Sequence, residues 1–284
     1  MLKVNNLCKN FGNFCIDNIS FHLPKGYIMG LVGENGAGKS LLMKTIMNVY
    51  TQDSGEVYVD GINIAEDVVA ARNKIGFVLD ECFFEMRMTG KDNVKYFSEY
   101  YKDFDKNLFD KYIGEFGIDM KKKLKDLSKG MSMKFQIAFA LSHKAELFIF
   151  DEPTASLDPE YYNEFQKLMA DIVSKGDKSI LISTHLTDAL DRLADYILFM
   201  DKGKLVFAGT KEELIEDYRI IKCEDYKINN IPSEMIVYID KKDNHNTVMV
   251  KCKKFVNLSN MFELERPTIE DIMFYVIKSK GSRW

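Results

Sequence analysis

Short continuous apolar runs recur along the chain, each closed by a turn or by charged residues. Residues 27–32, 74–79, 147–150 and 179–183 are such runs, the pattern of buried strands. Residues 18–23 alternate in a strand-like way, and residues 54–61 read as a hairpin strand between turns. Helical spacing is predicted over 41–47, over 160–175 and through much of 89–143. Thr89 with Asp92 makes a capping-box-like start, and Val94, Phe97, Tyr100 and Tyr101 follow at helical intervals. Leu108, Tyr112, Ile113 and Phe116 predict a second helix; Ile137, Ala138, Leu141 and His143 mark a long amphipathic one. Past about residue 218 the composition shifts. Residues 235–240 and 247–251 predict two strands around a polar turn, and 267–278 a closing helix. Strands alternating with helices define an α/β protein. The expected organisation is one large domain over 1–218, with a helical subdomain around 85–145, and a small α+β domain over 219–284.

Between the strand at 27–32 and the helix at 41–47 lies Gly33-Glu34-Asn35-Gly36-Ala37-Gly38-Lys39-Ser40. It fits G-x-x-x-x-G-K-[ST] at every fixed position. Glycines at 33, 36 and 38 let the backbone wrap closely, so that N–H groups converge on phosphate oxygens. Lys39 places a charge on the β- and γ-phosphates, and Ser40 offers a hydroxyl to Mg²⁺. Leu41 opens the helix behind them, whose positive end adds to the site. The apolar run at 147–150 ends in Asp151 and Glu152, the form of a buried strand that delivers a carboxylate to the metal shell. Asp80 and Glu81 close the run at 74–79, and His185 sits just past the run at 179–183. Strand ends are where α/β sheets place ligand contacts. Phe11 reads either as an aromatic stacked on a base or as a packed hydrophobe.

The 284 residues carry a net charge of −4. That mild acidity argues against a general nucleic-acid binder. Five scattered cysteines without a C-x-x-C predict reduced thiols and no metal cluster. No apolar run approaches the roughly 20 residues of a membrane span, so work at a membrane would need a partner.

With these motifs in order, residues 2–218 resemble the ATP-binding subunit of ABC transporters, and the tail resembles that of subunits from small bacterial exporters with a separate permease chain. The resemblance implies a P-loop NTPase cassette: a mixed sheet core, a helical subdomain and a small α+β tail. It implies ATP held by Phe11, Gly33, Glu34, Asn35, Gly36, Ala37, Gly38, Lys39, Ser40 and Leu41, with Ser128 and Gly130 reaching across from a second cassette. Lys39, Glu152 and His185 would be catalytic. Ser40, Asp151 and, through a water, Asp80 would serve Mg²⁺. Residues 156–158 match the D-loop. The implied partners are an integral-membrane permease and a second cassette, with no nucleic acid, and the implied place is the cytoplasmic face of the cell membrane. The exported substrate would be an antimicrobial, a peptide or a lipid.

Two departures stand out. Asp80 replaces the usual Gln, and residues 127–131 (Leu-Ser-Lys-Gly-Met) carry Lys129 and Met131 in place of the family's first Gly and Gln. Residues 82–88, rich in Phe and Met, read either as a permease-docking surface or as subdomain core. A soluble cassette protein acting on ribosomes or DNA is the rival class. A tandem cassette or heptad insertion would favour it, and this sequence has neither.

Overall fold

The computed structural model describes residues 1–154, 159–184, 187–241, 245–251 and 256–281. Its centre is a six-stranded sheet. In sequence it takes β3 (Ile28–Val32), β6 (Ile75–Val78), β7 (Leu147–Asp151), β8 (Ser179–Ser183), β9 (Tyr196–Asp201) and β10 (Lys204–Thr210), in the spatial order β10-β9-β3-β8-β7-β6. All neighbours are parallel except β9 and β10, which form an antiparallel hairpin. β3, β7 and β8 are buried at every residue, which is why each reads as an unbroken apolar run.

Successive side chains leave a strand on opposite faces, so the sheet sorts its apolar residues into two cores. Met29, Leu31, Leu147 and Ile149 face one side. There they meet α1 (Lys39–Ile46) and an antiparallel sheet of β2 (Cys15–Leu23), β1 (Leu2–Asn10), β4 (Ser54–Val59) and β5 (Ile62–Asn63), in that spatial order. The short α2 (Val68–Asn73) leads from this sheet into β6. Lys25 and Lys74 each bridge both Asp60 and Glu146, at 2.6 to 3.0 Å, tying the two sheets at one edge. The ammonium groups hold both carboxyls below their usual range.

Val32, Phe148, Phe150 and Ile182 face the other side. They pack on α5 (Lys129–Leu141), α6 (Pro159–Val173), α7 (Thr187–Leu193) and α8 (Lys211–Glu216). α5 is a shared wall. Met133 and Ile137 face the sheet, while Phe135, Ala138 and Phe139 face a second core with α3 (Gly90–Phe97) and α4 (Lys106–Glu115). Apolar residues all round a helix mark it as buried. Phe84 sits at the middle of this helical core, its ring 4.0 to 5.1 Å from those of Phe83, Phe97, Phe135 and Phe139.

The remaining elements are β11 (Tyr218–Cys223), α9 (Asp225–Ile228), β12 (Ile236–Asp240), β13 (Asn246–Lys251), α10 (Val256–Ser259), β14 (Leu264–Glu265) and α11 (Ile269–Gly281). The strands form a four-stranded antiparallel sheet in the order β12-β13-β11-β14. The helix expected over 94–101 stops at Phe97 and ends in a 3₁₀ turn, Ser98–Tyr100. The sequence pattern leaves 187–217 without an assigned element, and the structure fills it with α7, the β9–β10 hairpin and α8.

Candidate functional site

β3, β6, β7 and β8 run parallel, so their carboxyl ends share one edge, where Leu31 and Asp151 both pair with Ser183 in register. The carboxyl edge of a parallel sheet, where the following helices start, is its usual ligand crevice. The loop leaving β3 wraps on itself. Ala37 N–H donates to Glu34 O at 3.1 Å, and α1 begins at Lys39. Lys39 is buried, and its ammonium donates to Gly33 O at 2.9 Å and Glu34 O at 3.3 Å. The loop therefore closes around a cation held by neutral carbonyls, and phosphate oxygens are stronger partners for it.

Two glycines make this geometry. A Cβ on Gly33 would lie 2.4 Å from Met200 O, so the loop can leave β3 against β9 only without a side chain. Gly203, at φ +78° in the β9–β10 turn, donates to Ala37 O at 3.0 Å and accepts from Asp17 N–H at 3.0 Å. A Cβ there would strike Cys15 O at 1.8 Å. The hairpin thus pins the phosphate loop from behind, a role with no signature in the sequence beyond a turn.

The acids are oriented by one serine. Asp151 is 2% exposed and accepts from Ser183 Oγ at 2.6 Å. The same Oγ accepts from Glu152 N–H at 3.0 Å, and Ser183 O accepts from it at 3.2 Å. Glu152 takes φ +49°, a left-handed turn that carries its side chain off the line of β7. A non-glycine residue there is a strained position of the kind that clusters at functional sites. From sequence, Ser183 is only the end of a strand.

Phe11 packs edge-on against Tyr50, with ring centroids 5.3 Å apart. Across the turn closed by Phe11 N–H to Phe14 O, it is Phe14 that covers the loop: a Cβ on Gly38 would meet its ring at 2.7 Å. Both aromatics are half-buried. Ser128 caps α5, its Oγ accepting from Met131 N–H at 3.2 Å, and Ser128 and Lys129 are exposed. No described hydrogen bond joins residues 128–130 to the phosphate loop. Asp80 is paired with Lys129 Nζ at 2.8 Å. His185 and residues 156–158 lie outside the described residues.

Between the two cores a groove of about 630 Å³ opens along β6, with Val49, Val69, Phe77, Phe83, Tyr96 and Tyr100 on its walls. Val69 and Tyr100 are 72% and 64% exposed. Of the Phe-Met stretch, Phe83 faces the groove and Phe84 is core. Among the described residues no helix is long and apolar enough to cross a membrane.

A nested loop closing on a buried lysine, set beside a strand-end acid, defines a P-loop nucleotide triphosphatase. Comparison with known proteins narrows this. The model of the ABC transporter family matches residues 16–155. The bacitracin transport ATP-binding protein BcrA of Enterococcus faecalis is 31% identical over 72% of this chain and 68% of its own length. The lantibiotic transport ATP-binding protein SrtF of Streptococcus pyogenes is 32% identical over 72% of this chain and 89% of its own. A solved ATP-binding subunit of an ABC transporter superposes with a TM-score of 0.69 at 23% identity, over 75% of this chain and 91% of its own. A dimeric post-hydrolysis ATP-binding cassette bound to ADP and Pi gives 0.66 at 22%, over 74% and 98%. The chain belongs to the ABC transporter family, as an ATP-binding subunit whose activity is ATP hydrolysis.

Proposed function

We propose that this chain powers export through a separate membrane permease, working as one of a pair of cassettes on the cytoplasmic face of the membrane. The observation that carries the reading is the conjunction of a phosphate loop closed on Lys39 with an apolar groove along β6, an edge strand of the same sheet. Nucleotide chemistry and a docking surface then share β6, which lines the groove with Ile75 and Phe77 and pairs with β7 up to Phe150, one residue before Asp151. A groove lined by exposed Tyr, Phe and Val suits a short amphipathic permease helix. Relatives named for bacitracin and lantibiotic transport support an antimicrobial or peptide substrate over an ion.

Hydrolysis is phosphoryl transfer to water, governed by positioning and charge. Lys39 exchanges its carbonyl partners for β- and γ-phosphate oxygens. Glu152, turned off the strand by its left-handed backbone, orients the attacking water and takes up its proton. His185 donates to the γ-phosphate, and Ser128 and Gly130 of the second cassette cap it. Phe11 and Phe14 supply the aromatic wall for the base. The donors fit Mg²⁺: Ser40 and Asp151 offer hard oxygens, and the described residues hold no cluster of three or more His, Cys, Asp or Glu. Mg²⁺ uses one or two protein oxygens plus phosphates in such sites. Bound there, it would neutralise charge on the β- and γ-phosphates.

The test separates binding from cleavage. Lys39→Ala is expected to lose ATP binding. Glu152→Gln is expected to bind ATP, to slow hydrolysis at least about 100-fold, and to elute as a dimer with Mg-ATP on sizing chromatography. A Glu152→Gln protein that hydrolyses normally and stays monomeric, alone or with its permease, would refute the assignment.

A further inference from the structure

Two of the three residues that depart from the family pattern, Asp80 and Lys129, meet each other. Lys129, in the first turn of α5, and Asp80, two residues past β6, form an ion pair at 2.8 Å. They share a cavity of about 300 Å³ with Leu127, Ser132 and Gln136. Residues 129, 132 and 136 lie on one face of α5, at intervals of three and four.

That face grips the chain leaving β6 twice. Gln136, 2% exposed, donates through Nε2 to Leu79 O at 3.1 Å and accepts from Leu79 N–H through Oε1 at 3.3 Å. This bond pair is neutral and buried. The grip on the next residue is different. The Lys129 and Asp80 side chains are 58% and 48% exposed, so their pairing is open to water and salt. Ser132 Oγ, buried in the same cavity, has no hydrogen-bond partner there. Val78 pairs with Phe150, so Leu79 and Asp80 leave the sheet alongside Asp151 and Glu152.

We infer that Lys129 is a positioning residue for hydrolysis: through Asp80 it locks the exit of β6, and hence the edge carrying Asp151 and Glu152, to the start of α5. The inference rests on the assignment of that edge to ATP hydrolysis. Asp80 then acts as the counter-ion of Lys129, in place of the metal contact that its position suggests from sequence. The cation at residue 129 and the anion at residue 80 offset each other's charge. Either alone would leave an extra charge beside the signature end of α5 or beside the acids of β7.

The experiment is a double-mutant cycle on the full-length chain, with Lys129→Met, Asp80→Asn and the two combined, reading kcat and KM for Mg-ATP and the Mg²⁺ midpoint. Each single variant is expected to lower kcat about three- to tenfold, leaving KM within about twofold, and the double variant to be no worse than the poorer single one. Lys129→Arg should restore kcat. Two results would overturn the inference: effects that simply multiply in the double variant, or an Mg²⁺ midpoint shifted by Asp80→Asn and untouched by Lys129→Met. The second would return Asp80 to the metal. Lys39→Ala, run alongside, tests the site itself. Normal turnover in that variant would fault the site assignment and leave the pairing question separate.

Discussion

At the scale of single residues, one hydroxyl, that of Ser183, meets both the Asp151 carboxylate and the Glu152 backbone. Gly33 to Ser40 carry fixed spacing because backbone amides must converge on one ligand. Ser183 has no such spacing. It is brought to Asp151 and Glu152 only by the pairing of β7 with β8, which no local pattern encodes. Its hydroxyl serves as donor to one acid and acceptor from the backbone of the other. Ser183→Ala should therefore loosen both at once. A hydrogen bond to a buried carboxylate is worth about 1.5–3 kcal/mol, so kcat is expected to fall at least about tenfold with ATP affinity little changed. Ser183→Thr, which keeps the hydroxyl, should recover part of the loss. Stopped-flow nucleotide binding and steady-state turnover measure the two quantities. Unchanged kcat in Ser183→Ala would mean that the acids hold their places without it.

At the scale of elements, runs buried on both faces announced themselves, and those with mixed exposure did not. β10 is half-exposed along most of its length, so it lacks the unbroken apolar run that marks β3 and β7. Joints between elements are also hidden in sequence. His143, just past α5, directs Nε2 to Ile75 O at 3.0 Å and Nδ1 to Phe139 O at 3.4 Å, with its ring 4.4 Å from that of Tyr101. It joins the end of α5 to the start of β6. Burial pushes its pKa down from 6.5, against the two carbonyls, which favour the charged ring. The same burial raises the Tyr101 hydroxyl to about 12. The unfolded chain thus binds a proton at His143 that the folded chain refuses. Stability from this residue is complete above about pH 6.5 and declines as pH falls toward the lowered folded value, by at most about 1.4 kcal/mol per pH unit. His143→Phe should keep the ring packing and lose the Ile75 bond. Its stability deficit, measured by urea unfolding from pH 7.5 to 5, is expected to shrink as pH falls. A deficit constant across that range would show that His143 titrates alike in both states.

At the scale of the molecule, the tail looked separable from sequence because nothing in it belongs to phosphate chemistry. Its apolar residues pack with those of the larger domain. Tyr218, Ile220, Met249, Ile269, Ile272, Tyr275 and Val276 lie in the same core as Val32, Phe148, Leu190 and Phe199. α11 lies against α7, the helix that follows His185, and polar contacts reinforce the seam. Thr187 Oγ1 donates to Glu270 at 3.3 Å, Ile269 N–H donates to Asp191 at 3.2 Å, and Lys280 pairs with Asp201 at 3.0 Å. A hydrophobic pattern shows that a helix has an apolar face; it does not show which other element that face will meet. The change of composition near residue 218 falls within this shared core. Ile269 and Ile272 are fully buried, and each such side chain contributes about 1.5–3 kcal/mol by its burial. Losing α11 removes several of these at once, against a total stability of about 5–15 kcal/mol for a folded domain. A chain ending at Arg219 is therefore expected to lose its cooperative thermal transition. Ile272→Ala in the full chain should lower stability by about 2–5 kcal/mol while ATP still binds at low temperature. Calorimetry with and without Mg-ATP measures both. A truncated chain that melts cooperatively within a few degrees of the full one would make the tail an independent appendage.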